Sequence, residues 1–185
     1  MKRVIKYVVI VLAAAFAVLQ LFQIDKTNPP VNAAETLEAA VAVPPDISMM
    51  LARSCNDCHS HKTVYPWYSY IQPVGWWMQD HFLKGRDELN FSTFARMNAK
   101  QRSKKLEEMC EEVREGKMPL PSYTYGHPDA ILKDSEKQAL CAWANTVRAE
   151  TAGGGEAGST AAQPANDNAK SGDDDEKKGG RDDDH

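Results

Sequence analysis

Arg53-Ser54-Cys55-Asn56-Asp57-Cys58-His59-Ser60 is the stretch on which the reading of the whole chain depends. Within it Cys55, Cys58 and His59 spell C-x-x-C-H, the spacing at which c-type haem is attached. Two thiols one helical turn apart can each add to a vinyl group of one porphyrin. The adjacent imidazole can then lie under the iron as its proximal ligand. Covalent attachment lets a small protein hold a large cofactor with little core of its own. Zinc would require four ligands, usually as two closely spaced pairs, and the other cysteines, Cys110 and Cys141, stand alone and far off. A thioredoxin-like dithiol would want a βαβ context, and no strand pattern surrounds this motif. The expected cofactor is one covalent haem c on Cys55 and Cys58, with His59 on the iron.

Upstream, Lys2, Arg3 and Lys6 precede an apolar run from Tyr7 to Phe22. A positive n-region before an apolar segment marks export. Extended back to Val4, with Lys6 snorkelling, the run reaches about 19 residues, the short end of a membrane span. Small-x-small cleavage sites are weak: Ala15-Phe16-Ala17 falls inside the run and Val31-Asn32-Ala33 lies well past it. Residues 1–24 are therefore read as an uncleaved signal-anchor or transmembrane helix in a bacterial cytoplasmic membrane. Its positive end would be cytoplasmic and the remainder would face the periplasm. Cleavage would instead release the chain into the periplasm. Residues 25–45, bracketed by Pro29-Pro30 and Pro44-Pro45, read as a linker, with a short helix over Glu35–Val43 as the alternative.

Residues 46–150 have the composition of one folded domain and contain all four Trp and all four Cys. Their charge balances, 14 Lys and Arg against 14 Asp and Glu, and no basic stripe suggests nucleic acid. Asp46 is a candidate N-cap for a first helix carrying Ile47, Met50 and Leu51, with the haem motif at its C-terminal end. Leu106, Met109, Cys110 and Val113 follow the i, i+3, i+4, i+7 spacing of a buried stripe, and Gly116 supplies its stop. Leu140, Trp143, Ala144 and Val147 repeat the pattern. Val64–Leu83 is rich in aromatics and broken by Pro66 and Pro73. No stretch alternates as a strand. The expected class is all-α, a small cytochrome c-like helical domain around one haem.

The iron's sixth ligand would decide between electron transfer and ligand chemistry. The candidates are Met118, Met109, Met97, Met78, His61, His81 and His127. Met109 sits in a core stripe, and His61 is too near His59 to reach the opposite face. Met118 follows Gly116-Lys117 and precedes Pro119-Leu120-Pro121, a stiffened loop that can aim a side chain. His127 is the runner-up, and His81 reads as a surface or packing residue. A thioether opposite an imidazole raises the potential and fills the coordination sphere. The expectation is a carrier of single electrons, not an enzyme, with an unidentified redox partner protein. The alternatives are a haem peroxidase or a small-ligand or redox sensor with an open sixth position. A non-haem zinc or structural module is a third.

The assembled motifs resemble the haem-binding domain family, small monohaem c-type cytochrome-like proteins exported by bacteria. The resemblance covers about Ser48–Arg148. Its residues are Ser54–Ser60; Tyr65-Pro66-Trp67-Tyr68 with Ile71-Gln72-Pro73-Val74; Gly85-Arg86 with Glu88–Ser92; Met118-Pro119-Leu120-Pro121-Ser122-Tyr123; and His127-Pro128 followed by Leu132–Lys137. It implies Cys55 and Cys58 as attachment sites, His59 as proximal ligand and Met118-Pro119 as the distal element. It supplies no reaction partner.

Cys110 and Cys141 are read as two separate buried thiols, with a disulfide as the alternative. The aromatic cluster is read as haem-pocket wall and core. Arg53 and Arg86 could pair with a haem propionate, but each is expected on a solvated face. Residues 151–185 carry 4 basic against 9 acidic side chains and few apolar ones, so a disordered acidic tail is expected.

Overall fold

The apolar stripes at positions 106–113 and 140–147 do become helices, and these pack against each other. In the computed structural model, residues 1–153 are described, and among them there is no strand. The helices are α1 (Lys2–Leu19), α2 (Leu37–Ala40), α3 (Pro45–Ser54), α4 (Asn56–His59), α5 (Val74–Glu88), α6 (Ala99–Arg114), α7 (Pro121–Thr124) and α8 (Asp134–Gly153). Most of the expected acidic tail lies outside the described residues.

Helix α6 begins in a capping box. The Asn98 side chain accepts from Gln101 N at 2.9 Å, and the Gln101 side chain accepts from Asn98 N at 3.0 Å. Its stripe of Leu106, Met109, Cys110 and Val113 is buried. Leu140, Trp143, Ala144 and Val147 of α8 are buried too. Ile47, Met50 and Leu51 of α3 complete the core with Phe91, Phe94 and Leu37. Asp46 is not the cap of α3: Pro44 holds that place, Pro45 opens the helix, and Asp46 lies in its first turn.

Three further expectations change. Cys110 and Cys141 are joined as a disulfide, with Cα atoms 5.0 Å apart. The sulfurs meet because both stand on the facing stripes of α6 and α8, a proximity that sequence spacing does not report.

The stretch 25–45 is not a free linker. Leu37 is 1% exposed in the core, and Val41 and Val43 pack on the same cluster. Leu37 N also donates to Phe91 O at 2.7 Å, and Trp143 Nε1 donates to Ala42 O at 2.9 Å.

The N-terminal helix is shorter than a span. It has 18 residues, with Lys2, Arg3 and Lys6 in its first turns. The apolar part, Tyr7 to Leu19, rises about 20 Å at 1.5 Å per residue, against about 30 Å of bilayer hydrocarbon. Among the described residues no helix is long and apolar enough to cross a membrane. Leu21 and Phe22 lie beyond the last helical residue, their amides closing single turns onto Val18 O and Leu19 O.

Candidate haem site

The motif straddles a helix break. Helix α3 stops at Ser54, and Cys55, at φ −130° and ψ −39°, turns the chain into α4. The amides of Cys58 and His59 both bond Cys55 O, at 3.2 and 2.9 Å. C-x-x-C-H thus forms its own turn instead of the end of the first helix. Helix α5 packs directly across that turn at Gly85, where a Cβ would lie 2.7 Å from Cys58 O and 3.1 Å from Cys58 Cβ. Mid-helix Gly→Ala ordinarily stabilises by about 0.5–1 kcal/mol. Gly85→Ala is expected to reverse that sign and cost about 1–3 kcal/mol, as overpacking does. Urea unfolding of the full chain measures it.

His59 is held by its neighbours. Its Nδ1 lies 3.0 Å from Leu89 O, which assigns the proton to Nδ1 and leaves Nε2 as the free lone pair. Burial pushes the His59 pKa down, against the opposing pull of the Leu89 and Gly85 carbonyls. The neutral imidazole is the form that binds a metal. Burial also raises the Cys55 thiol to about 12 and the Cys58 thiol to about 11, so both are protonated near neutral pH. Neither behaves as an activated thiolate.

Two adjoining cavities open on this turn. The first, about 440 Å³, is walled by Cys55, His59, Leu89, Phe91, Met109 and Met118. The second, about 250 Å³, is walled by Cys55, Cys58, His59, His81, Met118 and Tyr123. They share Cys55, His59 and Met118, so both thiols, the imidazole and the thioether border one cleft. Its size suits a cofactor of several hundred Å³. Ser54 Oγ, also on this wall, is buried without a hydrogen-bond partner, the mark of a site that receives a further group. These residues fit a haem.

Met118 reaches the cleft through the end of α6. Gly116 takes φ +72°, and the amides of Lys117 and Met118 both bond Glu112 O, at 2.9 and 3.1 Å. That αL glycine reverses the chain and returns Met118 against the helix it has just left. Farther along the loop, Tyr123 donates its hydroxyl to Asp57 Oδ2 at 2.8 Å, tying the loop to the middle of the C-x-x-C turn. Burial and the Asp57 carboxylate both raise the Tyr123 pKa, so the phenol keeps its proton and the bond.

Of the other candidates Met109 walls the first cavity from its core stripe, and four fall elsewhere. His127 stacks on Tyr123 at 4.2 Å and does not line either cavity. Asn90 Nδ2 lies 3.0 Å from His61 Nε2. Met97 packs on the core cluster. Met78 is buried in α5. His81, read as a surface or packing residue, does pack on Trp77 of its own helix, at 4.3 Å between ring centroids, and it also lines the cleft. Its signal was Trp77, His81 and Gly85 at steps of four, the face of α5 laid against the motif.

The aromatic cluster is not the wall of the two main cavities. Trp67, Tyr70, Trp76 and Trp77 are exposed, and only Tyr68 and Trp77 border a small side cavity with Cys58. The arginines are not on a solvated face either. Arg53 pairs with Glu136 at 2.9 Å. Arg86 donates to Ser60 O at 2.8 Å and to Thr63 Oγ1 at 2.8 Å. Lys105 and Lys84 are the basic side chains bordering the cleft, a role unreadable from a chain dense in lysine and glutamate. Lys105 is shared with Glu108 at 2.9 Å and Glu88 at 3.4 Å.

Residues 14–146, more than half of the chain, match the family described as haem-binding domain. The chain belongs to the haem-binding domain family. The match starts inside α1 and runs through the 25–45 stretch, so this haem-binding domain is a longer unit than the motifs alone delimit. The packing of Leu37 into its core agrees with that extent. No curated protein and no solved structure matches the chain. Among the described residues no group of three His, Cys, Asp or Glu side chains is arranged to hold a metal ion.

Proposed function

We propose that the chain is a monohaem c-type cytochrome of the bacterial cell envelope that carries single electrons. In this reading Cys55 and Cys58 hold one haem covalently, and His59 and Met118 are its axial ligands. The observation that supports it is the meeting of all four side chains on one cleft. Haem bound there supplies a one-electron ferric–ferrous couple.

The protein's part is to hold and to exclude. Leu89 O fixes the His59 ring, so the free nitrogen needs no reorientation. The Glu112 carbonyl and Gly116 fix the loop that brings Met118. The Asp57–Tyr123 bond keeps that loop closed on the motif turn. Leu89, Phe91 and Val113 line the cleft with apolar surface, which lowers its polarity and limits water. A ligand set held this firmly needs little reorganisation on changing charge, which suits transfer better than catalysis.

Export fits the N-terminus. Three cations before an apolar run of Tyr7 to Leu19 have the layout of a secretory signal. The role given to α1 is export followed by retention at the membrane, with the folded domain on the periplasmic side. Its redox partner would be another envelope protein.

Carbon monoxide tests the carrier role. The reduced full chain is expected to keep its spectrum under carbon monoxide, because Met118 fills the sixth position. Rapid, complete formation of a carbon monoxide adduct would favour the open-site peroxidase or sensor instead.

A further inference from the structure

Helix α1 presents an anomaly of solvation: none of its 18 residues is buried. From Tyr7 to Leu19 it is apolar all round, a pattern that water does not support. The cations Lys2, Arg3 and Lys6 sit at the far end.

The near end is not loose. Gln20 Nε2 donates to Gln72 O at 3.1 Å, and Gln72 N donates back to Gln20 Oε1 at 2.9 Å. Gln23 Nε2 donates to Tyr70 O at 3.1 Å. Trp76 Nε1 donates to Phe22 O at 2.9 Å. Lys26 Nζ stands 4.1 Å above the Tyr70 ring. These contacts fix the direction in which α1 leaves the domain.

Around this exit Leu21, Phe22, Tyr70, Val74 and Trp76 are all exposed. Trp and Tyr beside the end of an apolar helix, with Lys among them, form the girdle found at a lipid–water boundary. A rigid exit also means that whatever covers α1 must come up against these side chains.

We propose that Tyr70, Val74 and Trp76, with Leu21 and Phe22, form a collar that seats the folded domain on the bilayer interface where α1 enters it. This rests on the membrane-retention role given to α1 above. The occupant is lipid. The helix is too short to cross, and the collar continues its apolar surface into the domain. Trp77, the next residue, instead lies against His81 and borders the side cavity with Cys58. Collar and haem cleft therefore lie on adjoining sides of α5, and the domain holds a set orientation over the membrane.

The test uses the full holoprotein with vesicles of phosphatidylethanolamine and phosphatidylglycerol. Flotation reads attachment, and hydroxyl-radical footprinting by mass spectrometry reads the collar. Met49, exposed on α3, is the internal reference. A Val11→Asp/Leu12→Asp chain, kept in solution, gives the unprotected rates. Relative to Met49, Tyr70 and Trp76 are expected to react roughly threefold slower, or less, on vesicles, as interfacial burial of a ring requires. In Gln20→Ala/Gln23→Ala the chain should still float while this protection falls, because the exit is no longer fixed. Flotation with unprotected Tyr70 and Trp76 would overturn the collar and leave membrane retention standing. Failure to float would overturn both. The same slowing of Tyr70 and Trp76 in the wild-type chain without vesicles would assign the patch to self-association and overturn the proposal.

Discussion

Replacing both motif cysteines, Cys55→Ala with Cys58→Ala, is expected to abolish the haem signal that survives denaturation. In the wild-type chain two thioethers would hold the porphyrin after unfolding, so a denaturing gel stained for haem should show the protein band. In the double variant the band should fall to background, because ligation by His59 and Met118 ends when the fold does. Each single variant retains one thioether and an intermediate signal. The effect extends to stability. The cleft is lined by Leu89, Phe91, Met109 and Val113, apolar side chains that the cofactor would cover. A ligand that binds only the folded state stabilises it in proportion to occupancy. The double variant should unfold at lower urea, and added free haem should restore only part of the loss. A band of unchanged strength in the double variant would remove the covalent assignment.

Opening the disulfide is the second large effect. Cys110 and Cys141 are 31 residues apart and join the two longest core helices. Loop closure over that separation corresponds to about 3–4 kcal/mol of stabilisation through the unfolded chain. Cys110→Ala/Cys141→Ala is expected to lose about that much in urea unfolding, a large share of a small domain's roughly 5–15 kcal/mol. Reducing agent, given time to reach a bond between cysteines that are 4% and 6% exposed, should move the wild type to the variant's midpoint. The absorption spectrum of the variant, compared with the wild type in the same iron oxidation state, should change little, since neither cysteine lines the haem cleft. Coincident unfolding curves for wild type and variant would mean that the bond is absent in solution.

The sequence was most legible where one periodic pattern had one physical reading. Leu106, Met109, Cys110 and Val113 can face inward together only on a helix, and all four are buried. Gly116 was readable as a stop, and its positive φ shows why glycine stands there. Cys55, Cys58 and His59, singled out by their order, and Met118, singled out by the glycine before it and the prolines after, border one cleft.

What escaped depends on pairing across distance. Gln20 and Gln23 look like ordinary polar residues, yet they fasten the helix exit to backbone atoms of Gln72 and Tyr70. Leu37 stands among alanines with no long period to mark it as core, and its place is set by packing on the distant core cluster and by its amide bond to Phe91 O. The aromatic stretch misled because ring content says nothing about direction. Pro66 and Pro73 set turns that send Trp67, Tyr70 and Trp76 outward. His81 needed the close crossing at Gly85 before its face of α5 could be known to meet the motif.

The sixth ligand is the centre of the account, and the absorbance spectrum of the oxidised full chain tests it most directly. Met118→Ala and His81→Ala would be recorded beside the wild type, because both side chains border the cleft. A weak sulfur-to-iron charge-transfer band in the wild type, lost in Met118→Ala and kept in His81→Ala, is the predicted result. A wild-type spectrum without that band, or a band that survives Met118→Ala, would contradict His59/Met118 ligation and the carrier built on it.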